Sequence, residues 1–177
     1  GKAFCTPPDL ALLNAQLHVQ PQRQTVLVTS GGTTVGQFER VVRSLMALER
    51  VLPGRLQLFV VCGQDEHTKR RLTEQARTSP MPLQVFGFID NMAELMAVSD
   101  LVVAKAGGLT ISEALARGKP LILYHIIPGQ ERLNAEYASR HGAAVIAKRP
   151  DDVAAIVQRC LEDPSRLATM RQAASTL

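Results

Sequence analysis

The sequence predicts an α/β fold, a doubly wound, six-stranded parallel sheet of the Rossmann-like kind. Three observations lead there. Short runs dense in Val, Ile and Leu recur with little polar alternation, as parallel strands covered on both faces require. Segments of helical periodicity alternate with them, which implies right-handed crossovers. The chain has 177 residues, of which 46% are hydrophobic, enough to bury a full core.

The elements follow in order. Residues 1–24 read as an approach or linker segment, punctuated by Pro7-Pro8 and Pro21, with a short apolar-periodic helix in "DLALLNAQLH". From Thr25 the strands are "TVLVTS" (25–30), "LQLFVVC" (56–62), "LQVFGF" (83–88), "LVVA" (101–104), "PLILY" (120–124) and "AAVIA" (143–147). In the first intervening helix Phe38, Val41, Val42, Leu45, Leu48 and Leu52 make one apolar stripe. Further helices are expected over about 65–77, from near Asn91, in "LTISEALAR", and over about 130–141, ending at His141-Gly142. Two more open at Pro150-Asp151-Asp152 and Pro164-Ser165, proline being suited to a helix start.

Composition narrows the function classes. There is no tryptophan and only 4% aromatic content, so stacking platforms for single-stranded nucleic acid are not expected. The net charge of +4 is uneven. Residues 1–80 carry 10 Lys/Arg against 6 Asp/Glu, and residues 81–177 carry 10 against 10. The run Lys69-Arg70-Arg71 is most simply a solvated helix face, with an anionic membrane surface or phosphorylated ligand as the functional reading. Cys5, Cys62 and Cys160 are too scattered for a disulfide framework or zinc site, which suits a reducing, cytoplasmic compartment. No apolar run approaches the roughly 20 residues needed to cross a bilayer, so any membrane association is expected to be peripheral.

Ligands of such sheets bind beyond the carboxyl ends of the strands, which singles out loops 30–36, 86–92, 104–110 and 124–134. "SGGTTVG" (30–36) lacks both G-x-G-x-x-G and the Lys-Ser/Thr of a P-loop, and reads equally as a turn or an anion site. "KAGGLTISE" (105–113) also carries two readings. Thr110-Ile-Ser-Glu113 fits a capping box, with Thr110 as cap and Glu113 reaching back. Alternatively Gly108, Leu109 and Thr110 present backbone N–H groups to a phosphate beside Lys105, and Glu113 accepts from sugar hydroxyls. In "FGFIDNM" (86–92), Asp90 or Asn91 can cap a helix while Phe86 and Phe88 enter the core, or the extended backbone can serve a nucleobase. "HIIPGQERLNAEY" (125–137) places Gln130 and Asn134 on one helix face, as a solvated first turn or as donors and acceptors for sugar hydroxyls. His18, His67, His125 and His141 are scattered and form no triad, and no D-x-D metal anchor exists.

Together, "GFIDNM", "KAGGLTISEALARGKPLIL" and "PGQERLNAEY" in this order and spacing are recognisable. Over nearly its whole length the chain resembles the C-terminal, donor-binding domain of GT-B glycosyltransferases of family 28. These include monogalactosyldiacylglycerol synthases, processive diacylglycerol glucosyltransferases and MurG. The resemblance implies one half of a GT-B fold, with residues 25–177 as nucleotide-sugar-binding domain and the acceptor domain, with its catalytic base, absent from this chain. It implies uracil binding by Phe88, Ile89 and Met92, with Ile89 acting through its backbone. It assigns the diphosphate to Gly31, Gly32, Thr33, Lys105, Gly107, Gly108, Leu109 and Thr110, the ribose to Glu113, and the donor sugar to Gln130, Glu131 and Asn134. No metal or other cofactor is implied, the UDP-sugar being the donor substrate.

The function so implied is inverting transfer of a hexose to a lipid acceptor such as diacylglycerol, the "PGQE" form favouring the lipid enzymes. The full-length protein would lie peripherally on a membrane, and this fragment would be inactive alone. A nucleotide-sugar-binding subunit acting with a separate membrane-bound acceptor subunit is the alternative, and a UDP-N-acetylglucosamine 2-epimerase the next.

Overall fold

Every apolar run becomes a strand. The computed structural model describes residues 8–31 and 37–177. Its strands are β1 (Gln24–Thr29), β2 (Leu56–Val61), β3 (Leu83–Phe86), β4 (Leu101–Lys105), β5 (Leu121–Tyr124) and β6 (Ala144–Ile146). They form one sheet in the order β3-β2-β1-β4-β5-β6, all parallel. The helices are α1 (Leu10–Gln16), α2 (Gln37–Met46), α3 (Glu66–Thr78), α4 (Met92–Val98), α5 (Gly108–Ala116), α6 (Gln130–Arg140), α7 (Asp152–Glu162) and α8 (Pro164–Ser175).

Burial explains the composition of the strands. Central β2 and β4 are buried almost end to end because helices cover both faces, whereas edge strand β3 is half-buried throughout. One core layer packs Phe38, Val41, Val42 and Leu45 of α2 and Val153 and Val157 of α7 against the sheet. The other packs Leu95 and Met96 of α4, Ile111 and Ala114 of α5, and Ala135 and Ala138 of α6 on the opposite face. The apolar stripe continues past α2 into a single 3-10 turn, Ala47–Arg50, which buries Leu48.

The described part of the approach segment packs onto this domain. Leu13 is buried, and Leu17 and Val19 lie against the second core layer. The buried Gln57 side chain locks the segment to β2, accepting from the Gln20 N–H and donating to the Gln20 carbonyl, each at 3.0 Å. Around the run 69–71, Lys69 pairs with Glu66 (3.3 Å) and Arg71 with Glu39 (3.1 Å), so a solvated helix face describes it. Cys62 and Cys160 are buried, free thiols, and Cys5 lies outside the described residues. Burial pushes the Cys62 thiol up to about 12.

Two local expectations need correction. Thr110 is not a cap. Helix α5 begins at Gly108 with Gly107 as its N-cap, so Thr110 is the third helical residue and no side chain caps this end. The helix therefore starts three residues before a Thr110 cap would place it, and at that start α6 comes close: a Cβ on Gly108 would stand 2.9 Å from Asn134 Nδ2. The capping box is thereby dissolved, and Glu113 lies a turn inside the helix. Nor is Phe88 core. Phe86 meets Phe59 edge-on at 5.8 Å, but the chain leaves the sheet after Phe86 and Phe88 is 69% exposed. Asn91 does occupy the N-cap position of α4, although its amide donates to the Glu94 carboxylate (2.9 Å) and not to the helix backbone.

Candidate functional site

The sheet order places the switch point between β1 and β4, since the chain winds from β1 to β3 on one side and from β4 to β6 on the other. The turns leaving β1 and β4 diverge there, and α5 starts in the gap. The first backbone N–H of α5 with an intrahelical partner is that of Ile111, which donates to the Gly107 carbonyl at 3.1 Å. The N–H groups of Gly108, Leu109 and Thr110 precede it, at the positive end of the helix dipole. They border a cleft of about 300 Å³ lined by Ser30, Gly31, Lys105, Gly107–Thr110 and Glu131. Glu131 is held in place there, its carboxylate accepting from the Ile127 N–H at 3.2 Å.

This cleft borders a second, with which it shares the lining residues Gly31, Leu109 and Thr110. The second, about 290 Å³, brings Phe88, Ile89 and Met92 to the same space as Glu113. Phe88 and Leu109, the two most exposed of the large apolar side chains among the described residues at 69% and 74%, both line it. Such surface is ready to receive a flat apolar ring face. The Glu113 carboxylate makes no hydrogen bond or ion pair to a described residue, and burial pushes it above the usual carboxylate range. A half-buried carboxylate with no hydrogen-bond partner among the described residues can accept from hydroxyl groups.

Gln130 and Asn134 share a face of α6, as their spacing predicts, but line a third groove. This groove, about 640 Å³, lies beyond Gly108, which borders both it and the 300 Å³ cleft. Gly32 and Thr33 lie outside the described residues, so the Gly-rich loop enters the site here only through Ser30 and Gly31.

The loop-by-loop reading of the sequence missed one wall. Thr29, Val61, Gly63 and Gln64 also line the nucleoside-sized cleft. The strand-end rule that selected four loops applies equally to "VCGQD" after β2, so the signal was present. Gly63 has φ +61°, and a Cβ there would meet the Gly31 carbonyl at 3.3 Å, so these two turns abut.

Lys119 lines none of these clefts. Its ammonium donates to the Ala97 (2.7 Å) and Ser99 (2.8 Å) carbonyls at the end of α4. Burial, aided by the charge of Arg171, pulls it down to about 8. No group of three His, Cys, Asp or Glu side chains able to hold a metal occurs among the described residues. Nor is any of the described helices long and apolar enough to cross a membrane.

The sheet order, the helices on both faces and the clefts at the switch point define a Rossmann-like domain of the kind that forms half of a GT-B glycosyltransferase. The sequence profile of the glycosyltransferase family 28 C-terminal domain matches residues 25–177, and the chain belongs to that family. The processive diacylglycerol beta-glucosyltransferase of Bacillus thuringiensis (strain Al Hakam) is 34% identical over 170 residues. That match covers 96% of this chain and 42% of the relative, so the chain spans less than half of that protein's length. Among solved structures, Acinetobacter baumannii MurG superposes with a TM-score of 0.70 at 24% identity, over 98% of this chain and 50% of that one. Anabaena HepE, solved in complex with UDP-glucose, gives 0.72 at 21% identity, over 99% and 49%.

Proposed function

We propose that the chain is the donor-binding half of an inverting hexosyltransferase that uses a UDP-sugar and glycosylates a lipid such as diacylglycerol. The observation that carries this reading is the N-terminus of α5, free of a side-chain cap, which borders one cleft and shares Leu109 and Thr110 with a second that holds Phe88, Ile89 and Glu113. Family membership and the diacylglycerol glucosyltransferase relative support the reaction class and the acceptor. Membership also favours a transferase over an epimerase.

On this reading uracil lies against Phe88 and Met92 with its edge on the Ile89 backbone, and Glu113 accepts from the ribose hydroxyls. The diphosphate takes the N–H groups of Gly108, Leu109 and Thr110, with Lys105, Gly107 and the loop containing Gly31, Gly32 and Thr33 around it. The hexose extends past Gly108 toward Gln130, Glu131 and Asn134. The acceptor hydroxyl attacks the anomeric carbon, the bond to the diphosphate oxygen breaks, and negative charge grows on the leaving UDP. Fixed N–H dipoles already aimed at that oxygen stabilise the charge without reorganisation. We assign that role to the helix and Lys105 and none to a metal.

The acceptor site and the general base that removes the hydroxyl proton belong to an acceptor-binding half, leaving residues 1–24 as the connection and 25–177 as the donor domain. That half would also bring the protein to the cytoplasmic face of a membrane, and the present chain alone would bind donor without turnover.

Calorimetry and amide NMR with UDP test the reading. Binding is expected, with shifts concentrated at residues 86–92 and 107–113, and with the same affinity in magnesium and in EDTA. Absence of both heat and shifts at millimolar UDP refutes the donor site, and loss of binding in EDTA refutes the metal-free cradle.

A further inference from the structure

The turn from β2 to α3 forms the wall of the nucleoside-sized cleft that none of the roles above uses, and it is built rigidly. The Cys62 N–H donates to the Phe86 carbonyl of β3 (2.9 Å), and the Glu66 N–H donates to the Gln64 carbonyl (3.1 Å). The Asp65 carboxylate accepts from the Thr68 N–H and hydroxyl, both at 2.9 Å, and so caps α3. Gly63 sits at φ +61° against the Gly31 carbonyl. A turn fixed at Cys62 and at the Asp65 cap presents Gln64 to the cleft, where its amide makes no hydrogen bond to a described residue. A polar side chain on a fixed support is what a reading contact needs.

Position decides what it would read. Glu113 and Thr110 come from α5, at the phosphate end of the cleft. Gln64 leaves β2, whose neighbour β3 delivers Phe88 and Ile89, so it stands at the opposite, base end. Asp65 beside it places a carboxylate at the start of α3, which disfavours phosphate there. The neutral amide has two donors to offer, and a pyrimidine-dione has two carbonyl oxygens, only one of which the Ile89 backbone can take at a time through its single N–H.

We propose that Gln64 is a specificity-determining residue, donating from its side-chain amide to a carbonyl oxygen of the pyrimidine base. This rests on the donor-site reading above and adds to it a contact from the β2–α3 turn. A neutral hydrogen bond of this kind changes affinity by about 3- to 10-fold.

The test is a coupling cycle between the side chain and single atoms of the nucleotide. Dissociation constants of UDP, 2-thio-UDP, 4-thio-UDP and 2′-deoxy-UDP are measured on the wild-type chain, Gln64→Ala and Gln64→Leu, with thermal melting as a folding control. Sulfur is a poor acceptor, so one thio analogue should bind wild type about 3- to 10-fold more weakly than UDP and lose that deficit in both variants. The 2′-deoxy deficit should be unchanged by either substitution. UDP binding indifferent to Gln64, deficits that persist for both thio analogues, or a 2′-deoxy deficit that vanishes with Gln64 would each overturn the assignment. A wild-type chain that binds no UDP overturns the donor-site reading itself, a result distinct from any of these.

Discussion

Removing Glu113 separates two roles that its sequence motif leaves superposed. Were it the back-bonding partner of a capping box, Glu113→Ala would lower stability by about 0.5–2 kcal/mol. The structure removes that role, because Thr110 is already helical and the carboxylate bonds to no described residue. Ligand-free stability should therefore hardly move. It should rise slightly in Glu113→Gln, which relieves the burial that pushes this carboxyl upward. Hydrogen bonds to a charged acceptor are worth about 1.5–3 kcal/mol each. Two ribose hydroxyls sharing one carboxylate, the rest of whose desolvation is incurred only on binding, make about 2–4 kcal/mol a reasonable loss on deletion. At 1.4 kcal/mol per tenfold, UDP affinity falls about 30- to 700-fold.

The pH dependence follows from the direction of the shift. Between the usual carboxylate pKa and the raised one, the folded chain holds a proton that the unfolded chain has released. This group's contribution to stability thus declines as pH rises through that window, while UDP affinity, which needs the ionised form, increases. Glu113→Gln should flatten both slopes. Calorimetry and denaturant melts across pH 4–7 read the two quantities on one sample. A clear stability loss in Glu113→Ala together with intact UDP affinity would refute the ribose assignment.

Two further outcomes are expected. Lys119→Met leaves the Ala97 and Ser99 carbonyls without their donor and should destabilise the domain by about 1–3 kcal/mol at pH 7 in denaturant melts. Because the lysine titrates at about 8 when folded against 10.5 ordinarily, the unfolded chain binds the extra proton between those values. Wild-type stability from this group should rise with pH across that interval, and the variant should lack the rise. Gly107→Asp should raise the melting temperature by the equivalent of a few tenths to about 1 kcal/mol while weakening UDP binding tenfold or more. Unchanged affinity in that variant would mean that the diphosphate lies elsewhere.

The architecture was readable because burial on both faces leaves a parallel strand no reason to alternate. "LVVA" and "LILY" therefore stood out without any knowledge of their neighbours. Strand ends were less legible. The run 83–88 stops at Phe86 because Phe88 turns toward the cleft, and an aromatic residue looks the same in a sequence whether it faces core or ligand. The start of α5 left two readings open for a similar reason. Thr-x-x-Glu satisfies the capping pattern locally, and only the structure shows that Gly107, not Thr110, stands at the N-cap. Gln64 escaped notice although the strand-end rule covers its turn, because a lone glutamine there carries no motif that singles it out. The strand order, which sets β2 beside β3, is what puts it in one wall with Phe88 and Ile89.

The capping residues carry the electrostatic logic of the site. Helices α1, α3 and α8 are closed by the side chains of Asp9, Asp65 and Asp163, each accepting from a backbone N–H of the first turn. Helices α5 and α6, whose first residues border the clefts, start instead from Gly107 and Gly129. At Gly107 the backbone gives no reason for glycine: φ is −64° and ψ 133°, open to any residue. A Cβ there would meet nothing within 4 Å. Asp would fit and would stabilise the helix, as it does at the start of α3. What Asp would also do is occupy the free N–H groups with its own carboxylate and set a negative charge where the diphosphate is proposed to lie. Packing and conformation do not account for the glycine, whereas the proposed diphosphate site gives it a reason. The same reasoning assigns opposite ends of one ligand to two helix starts at the carboxyl end of the strands, one on each face of the sheet. The open start of α5 suits the charged end, and the Asp65-capped start of α3, with Gln64 before it, suits the neutral base.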